Sequence, residues 1–552
     1  MRTSGLNKIT ATKSSRLHPK KNFMKKTLLH KSITGILLTG ILFASCKKDE
    51  NLAPMRQFMP SGEIGSSSGE STVKLTWKAA INAAPKTKYK VIVSRDTLFT
   101  NGPEFTYTTD TSGITLTDAD LLVRTTYYAR VQTQGPDSTL NSNWLRSGKF
   151  GILGEQIFLP LTSNDITDIA VQLKWKQQAD LTRIVLVPVG GGTAITVTLT
   201  PGDVTAAQKI VSGLTGNKEY VAEIFKGTLS KGLANFTTKP SLTGSNIIDL
   251  RGITDRPSVL TDTLPQIADG STVILKRGFT YPVSTALNLS KAVTIVSGYD
   301  FSNELAIIDM ISNFNITAGS NISQLSFKDV FIKGNSYSGG YMFNVSNACT
   351  IGRMSFEGVR TGIFRGLVRL QTAVINITDF VVDNSIIDSI SNYGVVNVDN
   401  VNCKIENISI KNSTIFRAEK VVTSRQNSTS CVIENCTINQ APWGGNYLVD
   451  YSTSGTNNVT NGIVVRNTIM GIGKSNAGNT SPRGARASAT TTISSSNVYT
   501  TSDYVNASNP LPTVIAYTGL STTLWLDPLN GDFKIKDNTF AGATSAGDPR
   551  WR

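Results

Sequence analysis

Apolar and polar residues alternate through most of this chain, and between Phe327 and Val498 the alternation settles into a repeat. It reads apolar, any, Asn-like, any, any, apolar, and starts at Phe327, Phe356, Val382, Ile410, Ile433, Val465 and Ile493, in steps of 29, 26, 28, 23, 32 and 28 residues. A unit this short cannot bury a face alone, so neighbours must stack. Val, Ile, Phe and Thr alternate with polar residues, as in Asn407-Ile408-Ser409-Ile410. No helix of about ten or more residues fits between repeats. The pattern predicts one coil per repeat of a parallel β-solenoid.

Asn384, Asn412, Asn435 and Asn467 hold the same place in four successive repeats, with Asp329 earlier and Gly358 in the repeat at Phe356. Asn and Gly accept the left-handed backbone of a sharp corner. Stacked amides can also hydrogen-bond from coil to coil. With this coil length, this Asn ladder and the entry segment Ile267-Ala-Asp-Gly-Ser-Thr-Val-Ile-Leu-Lys-Arg-Gly-Phe-Thr-Tyr281, residues 245–510 resemble the right-handed parallel β-helix proteins of the pectin-lyase-like superfamily. The resemblance implies a fold and leaves activity open, because that fold hosts lyases, hydrolases, esterases and adhesins.

At the N-terminus, Lys25, Lys26 and Lys31 precede an apolar stretch over residues 33–45 that is too short to span a membrane and suits a signal peptide. Leu42-Phe-Ala-Ser-Cys46 resembles a bacterial lipobox, which makes Cys46 the expected lipidation site and residues 1–46 the leader, with Met24 the expected start. Lys47-Lys48-Asp49-Glu50 resembles the surface-export signal of Bacteroidetes lipoproteins. The resemblance implies a lipid-anchored protein of the outer membrane, exposed at the cell surface. Residues 47–70, polar and rich in Gly and Ser towards their end, are expected to be a tether.

Processing changes the charge. Residues 1–46 hold nine Lys or Arg and no acid, so the formal +15 of the chain falls to +6. That balance carries no nucleic-acid signature and is compatible with an acidic glycan. His18 and His30, the only histidines, also precede Cys46. The mature chain therefore excludes Ser-His-Asp and Cys-His hydrolases, His-ligated zinc and a His general base. Cys349, Cys403, Cys431 and Cys436 lack CxxC spacing and are expected as small buried residues; a Cys403–Cys431 disulfide, 28 residues apart, stays open.

Two similar segments precede the solenoid, at 71–152 and 153–240. The first has Val73-Lys-Leu-Thr-Trp77, then Leu121 and Tyr127; the second has Val171-Gln-Leu-Lys-Trp175, then Leu214 and Tyr220. They resemble fibronectin type III sandwiches, in which the Trp packs between the sheets and the Tyr hydroxyl ties a corner. A SusE-like or other immunoglobulin-type sandwich is the alternative. Their role is glycan or protein binding, or a spacer, and the lack of clustered aromatics favours the spacer. The expected fold class is all-β: two fibronectin type III-like sandwiches, then a right-handed parallel β-helix with a C-terminal cap at 511–552. The cap contains Leu524-Trp-Leu-Asp-Pro528 and Gly547-Asp-Pro-Arg-Trp551. It resembles the end of an uncharacterised β-helix family of Bacteroidetes surface lipoproteins found beside glycan-utilisation genes. The resemblance implies polysaccharide handling, with a glycan importer as a further partner.

Three chemistries compete in the solenoid. The second place of the repeat holds Lys328, Glu357, Asp383, Lys411, Glu434 and Arg466, a column of mixed charge. It is either a solvated face with cross-coil ion pairs or, at Glu357 and Asp383, a carboxylate pair for glycoside hydrolysis. β-Elimination needs a base and a cation. Resemblance to lyases of this fold makes Arg417, Lys420 and Arg425 the candidate bases and Asp379, Asp383, Asp388 and Asp399 the candidate Ca²⁺ ligands. Binding alone needs less. Trp443, Tyr447 and Tyr451 fall in one excursion and Lys474, Arg483 and Arg486 in the next, Gly471 to Ser488, together a candidate surface for an acidic polysaccharide. The expectation is capture of a polysaccharide, with lyase activity or a purely structural adhesin as the alternatives.

Overall fold

The computed structural model describes residues 55–100, 105–451 and 456–552. The first sandwich joins a sheet of Ser61–Ser68, Thr72–Lys78 and Gly113–Thr117 to a four-stranded sheet built on Tyr89–Ser94 and Tyr128–Thr133. Residues 61–68 therefore correct the tether expectation. Their Gly/Ser-rich chain buries only Ile64, but pairing with Thr72–Lys78 satisfies the backbone that the side chains do not anchor. The second sandwich repeats the plan around Ala170–Lys174, Arg183–Pro188 and Glu219–Lys226.

In each sandwich the Trp and Tyr take the expected places. Trp77 and Trp175 are buried, and Tyr127 and Tyr220 accept hydrogen bonds from the backbone N–H groups of Leu122 and Thr215 at 3.1 and 3.0 Å. The Tyr hydroxyl, five residues on, closes the corner. The sandwiches are joined by buried Lys231, which reaches Glu155 at 2.8 Å and Asp118 at 3.1 Å. Arg251 links the second sandwich to the solenoid, 2.9 Å from Asp168.

From Ser245 onward the chain is a parallel β-solenoid. Its first face is a ten-stranded sheet running from Ser245–Asp249 to Ile493–Ser496. A fifteen-stranded sheet supplies the second and third faces. Early strands such as Val330–Val345, Arg360–Leu370 and Ile386–Val398 run through the corner between those faces. Later coils break there, as in Thr414–Ala418 then Val422–Ser424, and Thr437–Asn439 then Tyr447–Asp450. Parallel pairing keeps equivalent residues in line, so inward side chains form continuous columns. Phe327 stacks on Phe356 at 5.7 Å, and Phe356 meets Phe380 at 5.9 Å.

The Asn corner is as the repeat implies. Asp329, Gly358, Asn384, Asn412, Asn435, Asn467 and Asn497 all have φ between +47° and +68°. Asn412 donates to Asp383 at 2.8 Å, Asn435 to Asn412 at 2.9 Å and Asn497 to Asn467 at 3.0 Å. The ladder is interrupted at Asn384 and Asn435, whose side-chain oxygens accept instead from Arg550 at 2.9 Å and Arg552 at 3.4 Å.

Those contacts reveal the path of the C-terminal segment. It adds Ile515–Ala516 to the last coil, then doubles back along the outside of the second face. Trp525, Phe533 and Phe540 cover Phe416, Ile469 and Tyr499 there. Asp548 accepts from Thr414 at 2.7 Å and its N–H donates to Thr437 at 2.9 Å. The cap thus guards the end and also clamps the flank.

Cys349, Cys403, Cys431 and Cys436 are buried, as expected, and free, so the Cys403–Cys431 disulfide left open by the sequence is not formed. Cys431 lies in register with Ile408, not with Cys403, which aligns with Ile375. Two cysteines one period apart are not level, because the intervening coil is five residues short.

Candidate functional site

On the outer surface of the third face aromatic rings and unburied cations converge along successive coils. After two shorter strands, Leu287–Leu289 and Phe314–Ile316, six successive coils enter this face with a five-residue segment: Tyr341–Val345, Gly366–Leu370, Gly394–Val398, Lys420–Ser424, Tyr447–Tyr451 and Arg483–Ala487. The second, third and fifth residues pack inwards or at the corner. The first and fourth point outwards, so parallel register stacks them into two columns.

The fourth-place column runs Asn344, Arg369, Asn397, Thr423, Asp450 and Arg486, each in register with the next. The first-place column begins with Tyr341, Gly366 and Gly394. It continues with Lys420, which packs against Gly394, and ends with Tyr447 and Arg483. Gly366 leaves room for Tyr393, because a Cβ there would lie 2.7 Å from Tyr393 Cβ.

Cations stack on these rings. Arg369 lies 4.1 Å and Arg365 4.8 Å from the Tyr393 ring centre; Arg486 lies 4.4 Å and Arg483 5.3 Å from that of Tyr447. Asp399 holds Arg369 at 2.6 Å and Arg425 at 3.5 Å, and Asp450 holds Arg486 at 3.0 Å. Burial works to lower the Arg369 pKa, but the hydrogen bonds to Asp399 prevail and raise it. The face presents Arg365, Arg369, Lys420, Arg425, Arg483 and Arg486 against two carboxylates, so it is basic.

Excursions of unequal length border this face at its corner with the second. Trp443 and Lys474 lie on two of them, paired in register, with Lys474 Nζ 5.7 Å from the Trp443 ring and 5.8 Å from Tyr337 on an earlier excursion. Lys474 also bonds to buried Glu419 at 3.2 Å.

The sequence-predicted residues therefore separate. Lys420, Arg425, Tyr447, Arg483, Arg486 and Asp399 meet on the third face. Trp443 and Lys474 form its border. Tyr451 does not belong: it is 1% exposed, packed inside beside Cys431, because it is the fifth, inward residue of its segment. Arg417 turns to Asp388, at the corner, with Nε 2.8 Å from Oδ1, and that carboxylate raises its pKa.

The four aspartates do not converge. Asp379 and Asp383 sit on the first face, accepting from Asn407 and Asn412, while Asp388 and Asp399 are held by arginines elsewhere. Among the described residues no group of three His, Cys, Asp or Glu side chains is placed to share a metal ion. These residues do not fit the Ca²⁺ site expected of them. On the first face the charge column is in register from Lys328 to Arg466. Burial tends to raise the Glu357 pKa, but Lys328 at 3.0 Å and Arg353 at 3.6 Å bring it below the ordinary value. A glycosidase acid needs the opposite shift. Cys46 lies outside the described residues.

Residues missed from sequence are Tyr341, Arg365, Arg369, Tyr393 and Asn397. For Tyr341, Arg369 and Asn397 the signal was the five-residue segment, whose outward places carry polar or aromatic residues or glycine; Arg365 and Tyr393 lie just before it and carry no such signal.

Residues 279–418 match the model of a family described as Domain of unknown function (DUF4957), and residues 431–551 one described as Domain of unknown function (DUF5123). Among curated proteins none matches the chain. Solved structures that match include a two fibronectin type III domain segment from chicken tenascin, with 19% identity, 33% of this chain and 99% of that one covered, and a TM-score of 0.18. The FN1-FN3 domains of chicken CNTN1 match with 10% identity, 33% and 69% covered, and a TM-score of 0.15. The architecture itself, a β-solenoid consistent with the pectin-lyase-like superfamily behind two fibronectin type III-like sandwiches, rests on the strand pairing above.

Proposed function

We propose that this protein captures an acidic extracellular polysaccharide on the outer surface of its third solenoid face. The observation that carries the reading is the pair of arginine-stacked tyrosines, Tyr393 and Tyr447, on a basic open sheet. Tyrosine faces take the apolar side of a sugar ring, and guanidinium groups take carboxylates or sulfates. The described cavities of 350 Å³ beside Phe331 and of 260–640 Å³ on the sandwiches lie elsewhere. An open track suits a polymer better than an enclosed small molecule.

Capture is favoured over cleavage by the same geometry. Arg417 is held by Asp388, and the aspartates that would hold a cation are dispersed. The sandwiches serve as the spacer, and lipidation at Cys46 places the protein on the outer membrane, where a captured glycan passes to an importer.

Affinity electrophoresis in gels cast with polyuronate or with neutral glycan tests the proposal. The mature protein should be retarded by the polyuronate alone, less so at high salt. Tyr393→Ala and Arg486→Ala should each weaken binding roughly five- to thirty-fold, the worth of about 1–2 kcal/mol. Equal mobility in all gels sinks the reading. An ultraviolet assay for unsaturated uronate, with and without calcium, should stay flat; a rising trace would restore the lyase. Cys46→Ala should leave the membrane fraction, and its retention there would refute the anchor.

A further inference from the structure

Resting on that reading of the third face, we infer that the glycan lies parallel to the solenoid axis, about one sugar to each coil, with its acidic groups held at two separated stations.

The fourth-place column from Asn344 to Arg486 spans five coil steps. At a rise of about 4.8 Å per coil that is roughly 24 Å. One coil rise is close to the length that one sugar adds to an extended glycan, so the column can contact six consecutive sugars in phase. A chain lying across the face would instead meet the Trp443–Lys474 border at the corner after two or three sugars.

The charge is not uniform along the track. Arg365 and Arg369, around Tyr393, form one station, and Arg483 and Arg486, around Tyr447, form the other. Between them the column holds uncharged Asn397 and Thr423, then Asp450, which is tied to Arg486; the cations beside this stretch are Lys420 and Arg425, the latter drawn towards Asp399. Two polar atoms of the track are unpartnered among the described residues: Asn397 Oδ1, on a residue only 3% exposed, and Arg483 Nε. A buried polar atom without a partner is costly. Both atoms are closed off from solvent in the unliganded chain, so a small outward turn of the side chain is needed before a glycan hydroxyl donates to Asn397 Oδ1 or a glycan oxygen accepts from Arg483 Nε. The middle of the track therefore offers hydroxyl and amide groups with Lys420 beside them, and its ends offer paired guanidinium groups.

Calorimetry with oligouronates of two to eight residues and the full mature chain tests this. Affinity should rise steeply to about six residues and then flatten. Arg486→Gln should lower hexamer affinity about tenfold and leave the trimer, which can sit at the other station, nearly unchanged. Thr423→Trp, which places a bulky group at mid-track, should abolish the gain beyond the trimer; unchanged thermal melting would establish that both variants fold. A plateau at two or three residues, or an equal loss for trimer and hexamer in Arg486→Gln, overturns the axial track and leaves acidic-glycan capture standing. Failure of every length, and of the polymer, overturns both.

Discussion

Replacing Asn412 separates two roles of the corner asparagine. Its backbone sits at φ +48°, its amide donates to Asp383 at 2.8 Å, and its side-chain oxygen accepts from Asn435 at 2.9 Å. Ala loses both hydrogen bonds, about 0.5–1.5 kcal/mol each. It must also hold a left-handed backbone that costs an L-residue about 1–2 kcal/mol, part of which Asn already bears. The loss for Asn412→Ala is therefore about 2–4 kcal/mol. Asn412→Gly loses the same bonds but adopts that φ freely, so it should be about 1 kcal/mol milder. Amide hydrogen exchange in the flanking strands Cys403–Lys411 and Ser430–Glu434 reads these values locally in the full chain. Protection should fall roughly 30- to 700-fold for Ala, and about five-fold less for Gly. Equal losses would show that the corner imposes no strain on Ala. Protection within about two-fold of the parent in both would show that the ladder contributes nothing.

Three further outcomes follow from other parts of the molecule. Trp525→Ala empties a fully buried site against Phe533 and should destabilise the flanking clamp by about 3–5 kcal/mol, seen as early proteolysis after Leu520; an intact tail would refute its role. The Glu434 carboxyl is held below its ordinary pKa by Arg466 first and by Lys411, against the opposing effect of burial. Its stabilising contribution is thus present above the unfolded value near about 4.3 and is lost as pH falls through the folded one; Glu434→Gln should flatten exchange protection below about pH 4.5, and an unchanged slope would contradict the pairing. Burial pushes the Cys431 and Cys436 thiols up to about 12, so iodoacetamide should spare both until urea is added.

The solenoid was legible because its first face and the Asn corner recur at nearly fixed spacing, so period and chemistry reinforce each other. The sandwiches were legible through the spacing of Trp77 to Tyr127 and of Trp175 to Tyr220. The third face was obscured by excursions of unequal length at the corner before it, which shift its phase from coil to coil. Tyr447 and Tyr451 look equivalent in sequence, yet Tyr447 opens the strand Tyr447–Asp450 at the corner and turns outwards, while Tyr451 lies just past its end and turns into the core. Arg369 and Tyr393 carry no motif; only pairing across coils puts one over the other. The return path of the tail was hidden for a similar reason, since nothing local in Asp548-Pro-Arg550 announces Thr414 or Asn384, 134 and 166 residues away.

The two joints ahead of the solenoid have a mechanical meaning. Lys231 is only 7% exposed and is gripped from two sides by Glu155 and Asp118, while Arg251 is forked onto Asp168 through both of its terminal nitrogens. Apolar contacts can slide; directional charged hydrogen bonds hold an angle until they break. Breaking either would leave a charge stranded in a nearly dry junction. Drag from a long polymer gripped on the third face would then travel to the base of the molecule as torque, with little of it absorbed by bending at the joints.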